Sequence, residues 1–278
     1  MMNEPIGWLE AVILGVVQGL TEFLPISSSA HVLIVSQLFG WGDPGAAFTA
    51  VTQIGTEIAV LIYFRRDLAR ILSTWFVSLR RPEVRGSIDA RMGWYVIIGT
   101  LPIAILGFTF APVIETAARN LWLVATVLIV FGIVLGLVDR WGAKTKALEA
   151  LNAKDGLLFG FGQALALIPG VSRSGATISV GLAMGYSRSA ATRYAFLLAI
   201  PAVLASGLYE ATKIGSDVNV QWGQTILATI IALTIGYLVI AWLIRWVSTH
   251  SFLPFVIYRV VLGSVLLVLL ATGTISAL

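Results

Sequence analysis

Cysteine is absent from the 278 residues, and histidine occurs only twice. The first absence excludes disulfides, zinc–thiolate sites and a cysteine nucleophile. Charge is scarce as well: Asp, Glu, Lys and Arg together make up 12%, against about 25% in a soluble globular chain. So few charges cannot cover a water-facing surface. That excludes an ordinary cytosolic enzyme, a disordered chain and a nucleic-acid-binding domain. The pI of about 9.6 does not bring back the last of these, because the formal net charge is only +4. A cleaved leader is not expected, since Glu4 stands where a basic n-region would lie.

What is present is apolar: 58% hydrophobic residues and a mean hydropathy of +0.92. A spanning helix needs about 20 apolar residues. Six runs fit: Phe48–Phe64, Trp94–Phe110, Leu121–Val138, Tyr194–Tyr209, Thr225–Leu243 and Phe255–Ala271. Two further hydrophobic segments, Gly15–His31 and Gly160–Thr177, are broken by proline and small polar residues. Lipid-exposed chain cannot leave backbone groups unpaired, so such breaks belong inside protein or beside a wet cavity. The expectation is an all-α integral membrane protein, residues 1–278 forming one membrane domain with six spanning helices and two re-entrant helical hairpins. The charges of the two longest polar connections, Arg65–Arg91 and Asp139–Asp155, are expected to be solvated loop residues.

The two broken segments resemble each other. Gly15 and Gly160 each precede a glutamine by three residues, Gln18 and Gln163; then come Pro25 and Pro169, and a serine cluster. Three spans follow each, so the second half runs with reversed orientation. This is the pattern of an inverted-topology repeat, with halves of approximately 1–140 and 155–278. The positive-inside rule tests it. With the N-terminus outside, fourteen of the eighteen Lys and Arg fall in inner loops, in Arg65–Arg91, Arg140–Lys154, Arg188, Arg193 and Arg245. Only Arg119 and Lys213 fall outside, and Arg173 and Arg259 lie within hydrophobic segments. Both termini are therefore expected outside. The first broken segment opens outward, the second inward, and their tips meet near the midplane.

Ionisable residues inside hydrophobic segments are costly and point to function. Here they are Glu22, His31, Glu57, Arg173 and Arg259. A hydroxyl nucleophile needs a neighbouring base. Ser28 and His31 are one helical turn apart, Ser27 is adjacent, and the turn at Pro25 can fold Glu22 back toward them. Gln18 and Glu22 share a helix face. An isolated serine run would merely cap a half-helix; His and Glu beside it at membrane depth favour chemistry. The second segment, Pro169–Thr177, brings the cation. Arg173 sits among Ser172, Ser174, Gly175 and Thr177, and a half-helix start with a forked guanidinium suits a phosphate. Joined, the two tips suit hydrolysis of a phosphoanhydride.

Gln18-Gly-Leu-Thr-Glu22, running on through Ser27-Ser-Ser-Ala-His31, resembles the acidic signature of the bacterial undecaprenyl-pyrophosphate phosphatase family, the bacitracin-resistance phosphatases. Pro169-Gly-Val-Ser-Arg-Ser-Gly-Ala-Thr177 resembles its arginine-bearing signature, and Phe196–Pro201 and Pro254–Arg259 also match. The resemblance covers essentially the whole chain. It implies an enzyme of the bacterial inner membrane that converts a C55 polyprenyl pyrophosphate to the monophosphate carrier of peptidoglycan and other envelope glycans; the outward-opening first segment, read from the topology, places the site toward the periplasm as an expectation. It implies Ser28 as nucleophile beside Ser27, Glu22 as base or metal ligand, and His31 as base or acid. Arg173 would bind phosphate, supported by Ser172, Ser174, Gly175 and Thr177. A divalent cation, Mg²⁺ or Ca²⁺, and frequent homodimers are also implied. Gln18 cannot carry the negative charge some relatives place there, and it would position water or substrate by hydrogen bonds.

Other readings remain open at this point. Inverted repeats with broken helices also build secondary transporters. An acid-phosphatase-like lipid phosphatase needs a histidine where Ser179 stands, and an intramembrane serine protease needs a Gly-x-Ser-Gly motif that neither serine cluster supplies. Direct attack by water and a phosphoserine intermediate are equally compatible with these residues.

Overall fold

A computed structural model describes residues 6–42, 45–117, 120–214 and 221–277. Arg119 and Glu4 therefore lie outside the described residues, as does the Lys213 side chain. Among the described residues are eleven α-helices: α1 (Trp8–Thr21), α2 (Ser28–Leu38), α3 (Ala46–Tyr63), α4 (Arg65–Arg80), α5 (Ile88–Ala117), α6 (Leu121–Trp141), α7 (Ala153–Ala164), α8 (Arg173–Ala183), α9 (Arg188–Ile214), α10 (Trp222–Trp246) and α11 (Leu253–Ala271). Among the described residues there is no β-strand, only one isolated bridge between Lys146 and Tyr186.

Among the described residues five helices, α5, α6, α9, α10 and α11, contain stretches long and apolar enough to cross a bilayer. They outrun the hydrophobic runs at one or both ends because polar residues continue the helix beyond the apolar stretch. Within α3, Phe48–Tyr63 is a shorter apolar helix. The broken segments become pairs of short helices. At about 1.5 Å per residue, the 11–14 residues of α1, α2, α7 and α8 cannot cover a hydrocarbon core of about 30 Å.

Each pair breaks in the same way. The first residue of α2 follows Ser27 at φ 75°, and the first of α8 follows Ser172 at φ 71°. Both pairs then end at a glycine of positive φ, Gly40 and Gly185, with the same spacing from the serine. A left-handed serine is unusual for an L-residue. Its appearance twice in matching places marks a reversal that both tips require. The packing matches too. α1 lies along α10 where a β-carbon on Gly15 would come within 2.7 Å of the Ala228 carbonyl. α7 lies along α5 where Gly160 sits against the Gly99 backbone. Small residues let these backbones approach in an environment without a hydrophobic drive between helices.

The polar connections differ from expectation. Arg65–Arg80 is a helix, α4, with Leu72, Phe76, Val77 and Leu79 exposed along it. Asp139 and Asp155 are buried rather than solvated. Asp139 accepts from Arg188 Nε and from the Phe252 N–H at 2.9 Å. Asp155 accepts from the Tyr186 hydroxyl at 2.6 Å. These carboxylates tie the ends of helices together, a task the charge pattern alone does not reveal.

Candidate active site

The tips of the two broken segments meet. Glu22, directly after α1, points both carboxylate oxygens at partners. Its Oε1 accepts from Arg173 Nη2 at 2.7 Å. Its Oε2 accepts from Gln18 Nε2 at 2.8 Å and from Ser28 Oγ at 2.6 Å. Gln18 reaches it because four residues make one helical turn; Ser28 reaches it because the chain reverses at Pro25 and Ser27. Arg173 is the first residue of α8, on the other tip. The proximity of residues 151 positions apart is a tertiary fact.

A second acid joins them. Glu57 of α3 accepts from Arg173 Nη2 at 3.3 Å and is itself buried. Its Oε2 and Arg173 Nη1 are both buried without a partner. Its charge inside an apolar run is the sequence signal that marks it; Gln53 and Thr49, on the same helix, carried no such signal.

His31 is placed differently from the one-turn argument. Its Nδ1–H donates to the Ser27 carbonyl at 2.7 Å, so in the neutral ring Nε2 accepts from the Tyr258 hydroxyl at 2.7 Å. The two rings stack, with centroids 5.5 Å apart. Neither nitrogen meets Ser28. In this arrangement His31 braces the left-handed Ser27, and Ser27 Oγ lies 3.4 Å from Ser29 Oγ.

On the second tip, Ser172 Oγ caps α8 by accepting from the Gly175 N–H at 3.2 Å, and it lies 3.2 Å from Ser174 Oγ. Ser174 donates across to the Leu24 carbonyl at 3.1 Å. Thr177 is fully buried and donates back to the Arg173 carbonyl at 2.7 Å. Beneath both tips lies Arg259 of α11, 0% exposed. It donates to the carbonyls of Pro25 (3.0 Å), Val171 (3.0 Å), Gly170 (2.9 Å) and Leu128 (3.1 Å). A buried cation is sustainable only when its donors are satisfied, and here four backbone carbonyls do so.

The site opens into a cavity of about 680 Å³. Gln18, Glu22, Ser27, Ser28, Ser29, Ser172 and Arg173 form its polar end, with Gln53 and Thr49 from α3. Its remaining wall is mostly apolar, with Ile103, Ala104, Phe108 and Ile114 of α5, Leu167 and Ile168 of the second tip, and Val203 of α9; Thr100 and Ser206 are the polar exceptions. His31, Ser174, Gly175 and Thr177 do not line it. Phe108 is 88% exposed, so the apolar wall runs out to the surface of α5. A charged end joined to a long apolar lane suits a head group with a hydrocarbon tail.

Among the described residues there is no group of three or more His, Asp or Glu that could hold a metal by itself. One carboxylate and a neighbouring amide oxygen do fit a hard cation that keeps most of its ligands as water and phosphate.

The family described as bacitracin resistance protein BacA matches residues 11–265. A Nocardioides protein named undecaprenyl-diphosphatase is 58% identical over 273 residues, which cover 98% of this chain and all of that protein. Proteins of the same name from Thermobifida fusca and Micrococcus luteus are each 58% identical, over 96% and 97% of this chain and 92% and 99% of their own lengths.

Proposed function

The chain belongs to the BacA family of bacitracin resistance proteins, and from that premise we propose that it hydrolyses undecaprenyl pyrophosphate to undecaprenyl phosphate and inorganic phosphate. It is a multi-pass membrane enzyme that regenerates the lipid carrier for envelope glycan synthesis. The observation that carries this reading is the Ser28–Glu22–Arg173 chain of contacts, at 2.6 and 2.7 Å, at the polar end of the cavity.

Ser28 attacks the terminal phosphorus while Glu22 Oε2 takes its proton. The bond from that phosphorus to the bridging oxygen breaks, and the lipid monophosphate leaves with the bond's electrons. Water then releases the phosphate from Ser28. Arg173 offers N–H donors to the equatorial oxygens, where charge spreads in phosphoryl transfer. Ser172 holds the start of α8 so that Arg173 projects from its first turn, and Ser174 fastens that turn to Leu24. His31 fixes the Ser27 backbone from which Ser28 is aimed. Gln18 orients Glu22 from the opposite side. A Mg²⁺ or Ca²⁺ ion held by Glu22, the Gln18 amide oxygen and the pyrophosphate would neutralise charge on the leaving phosphate. The polyprenyl tail enters sideways along α5, past Phe108.

The matching left-handed serines, the paired glycines and the equivalent packing of α1 on α10 and α7 on α5 support an inverted repeat with re-entrant hairpins and α3 as a sixth crossing. The concentration of Lys and Arg in the inner loops supports outside termini and a site that opens outward.

Phosphate release from farnesyl pyrophosphate by the purified protein tests the activity. Release with Mg²⁺ or Ca²⁺, lost in Ser28→Ala and Arg173→Ala variants that still fold, is the expected result. Tight binding without release in any divalent ion would leave a lipid-pyrophosphate carrier instead.

A further inference from the structure

Among the tasks the proposed reaction gives Glu22, two conflict. It is the partner of Arg173 and also the base for Ser28. A carboxylate held in a 2.7 Å ion pair is a poor proton acceptor, and a guanidinium that loses its partner inside a membrane protein is neither stable nor aimed. The phosphate takes some of its donors, but a group of the protein must keep Arg173 aimed when Glu22 lets go.

We propose that Glu57 is a positioning residue that takes over Arg173, freeing Glu22 to accept the Ser28 proton. Glu57 already touches the same nitrogen, Nη2, at 3.3 Å. Two atoms of this pair are left over, Arg173 Nη1 as a donor and Glu57 Oε2 as an acceptor, both buried and both unpartnered. Guanidinium and carboxylate meet best as a two-pronged fork. Here one prong is made, and each partner keeps one buried atom with no hydrogen bond, a donor on Arg173 and an acceptor on Glu57. A turn of the guanidinium away from Glu22 completes the fork. Glu22 and Glu57 are buried and the Arg173 side chain is 15% exposed, so the exchange adds little desolvation. The remaining N–H donors of Arg173 stay available to phosphate oxygens. Glu57 does not line the cavity, so it acts through Arg173 rather than on substrate.

The inference rests on the phosphatase reading, and kinetics on the full chain separate the two. The substrate is farnesyl pyrophosphate with Mg²⁺, and the variants are Glu57→Gln and Glu57→Asp. Gln keeps the shape and loses the charge, so Arg173 stays on Glu22. The expected result is a fall in kcat of about tenfold, a fraction of what a positioned base contributes. KM stays unchanged or drops, since one negative charge behind Arg173 is removed while Arg173 keeps its donors for the anionic head group. Asp keeps the charge and recovers kcat well above the Gln variant. A role in packing alone has the reverse order, because Gln fills the space and Asp leaves a gap. A Gln variant with wild-type kcat, an Asp variant no better than Gln, a KM that rises as kcat falls, or a Gln variant that fails to fold overturns the proposal. Absence of phosphate release by the wild-type protein would instead remove the phosphatase reading itself.

Discussion

At the scale of single residues, the proposed site separates groups assigned to the chemistry from groups that hold them. Arg173 and Glu22 meet each other, Ser28 and a large cavity, so their substitution acts on rate. Arg173→Lys replaces a fork by a point charge and is expected to reduce phosphate release about a hundredfold, with the unfolding temperature little changed. Ser27 behaves in the opposite way. Its φ of 75° costs an L-residue on the order of 1–3 kcal/mol, a strain that glycine avoids. Ser27→Gly is therefore expected to unfold at or above the wild-type temperature, and Ser27→Val well below it, in thermal denaturation. Much of this was legible in the sequence: intramembrane Glu22, His31 and Arg173 beside serine clusters marked the site. The His31 partnership with Tyr258 was not, because 227 positions separate them and no spacing rule connects α2 with α11.

At the scale of elements, helix lengths and small-residue contacts decide the architecture. Hydropathy found the long helices because an apolar stretch is a one-dimensional property. It missed α4, whose polar and apolar residues average out over a window while forming two faces of one helix. It also treated Asp139 and Asp155 as solvated, although each fastens the end of one element to the next. The closest helix contact is testable. A β-carbon on Gly160 would strike the backbone of Gly99, so Gly160→Ala must push α7 off α5. A loss of about 1–3 kcal/mol follows from overpacking, read as a lower unfolding temperature in detergent. Gly107, whose β-carbon would meet only Leu167 at 3.6 Å, should accept alanine nearly without cost.

At the scale of the whole molecule, Arg259 joins what the chain separates. It bridges carbonyls on the first tip, the second tip and α6. Lysine carries fewer donors and no fork, so Arg259→Lys is expected to cost about 3 kcal/mol or more through unpaired buried carbonyls. Activity should fall as well, although Arg259 does not line the cavity. Sidedness is also decided at this scale. Ser29 is exposed at the tip, and the chain has no native cysteine, so Ser29→Cys in intact cells is expected to react with an impermeant maleimide from outside. Labelling only after the inner face is exposed would reverse the proposed orientation.

The sequence by itself determined the solvent of this protein, the identity of its long apolar helices and the residue types of its candidate site. Those follow from composition and local order: too few charges for water, apolar runs of spanning length, and ionisable groups too costly to sit in lipid without a purpose. Only the tertiary structure decided the partners. Glu22 is shared between Ser28 and Arg173, Glu57 stands behind the arginine, His31 is turned to Tyr258, and Arg259 serves the backbone rather than a substrate. Each of these is a contact between distant parts of the chain. The physical reason is that a buried charge must be matched in space, and sequence order does not specify which distant group folds close enough to match it.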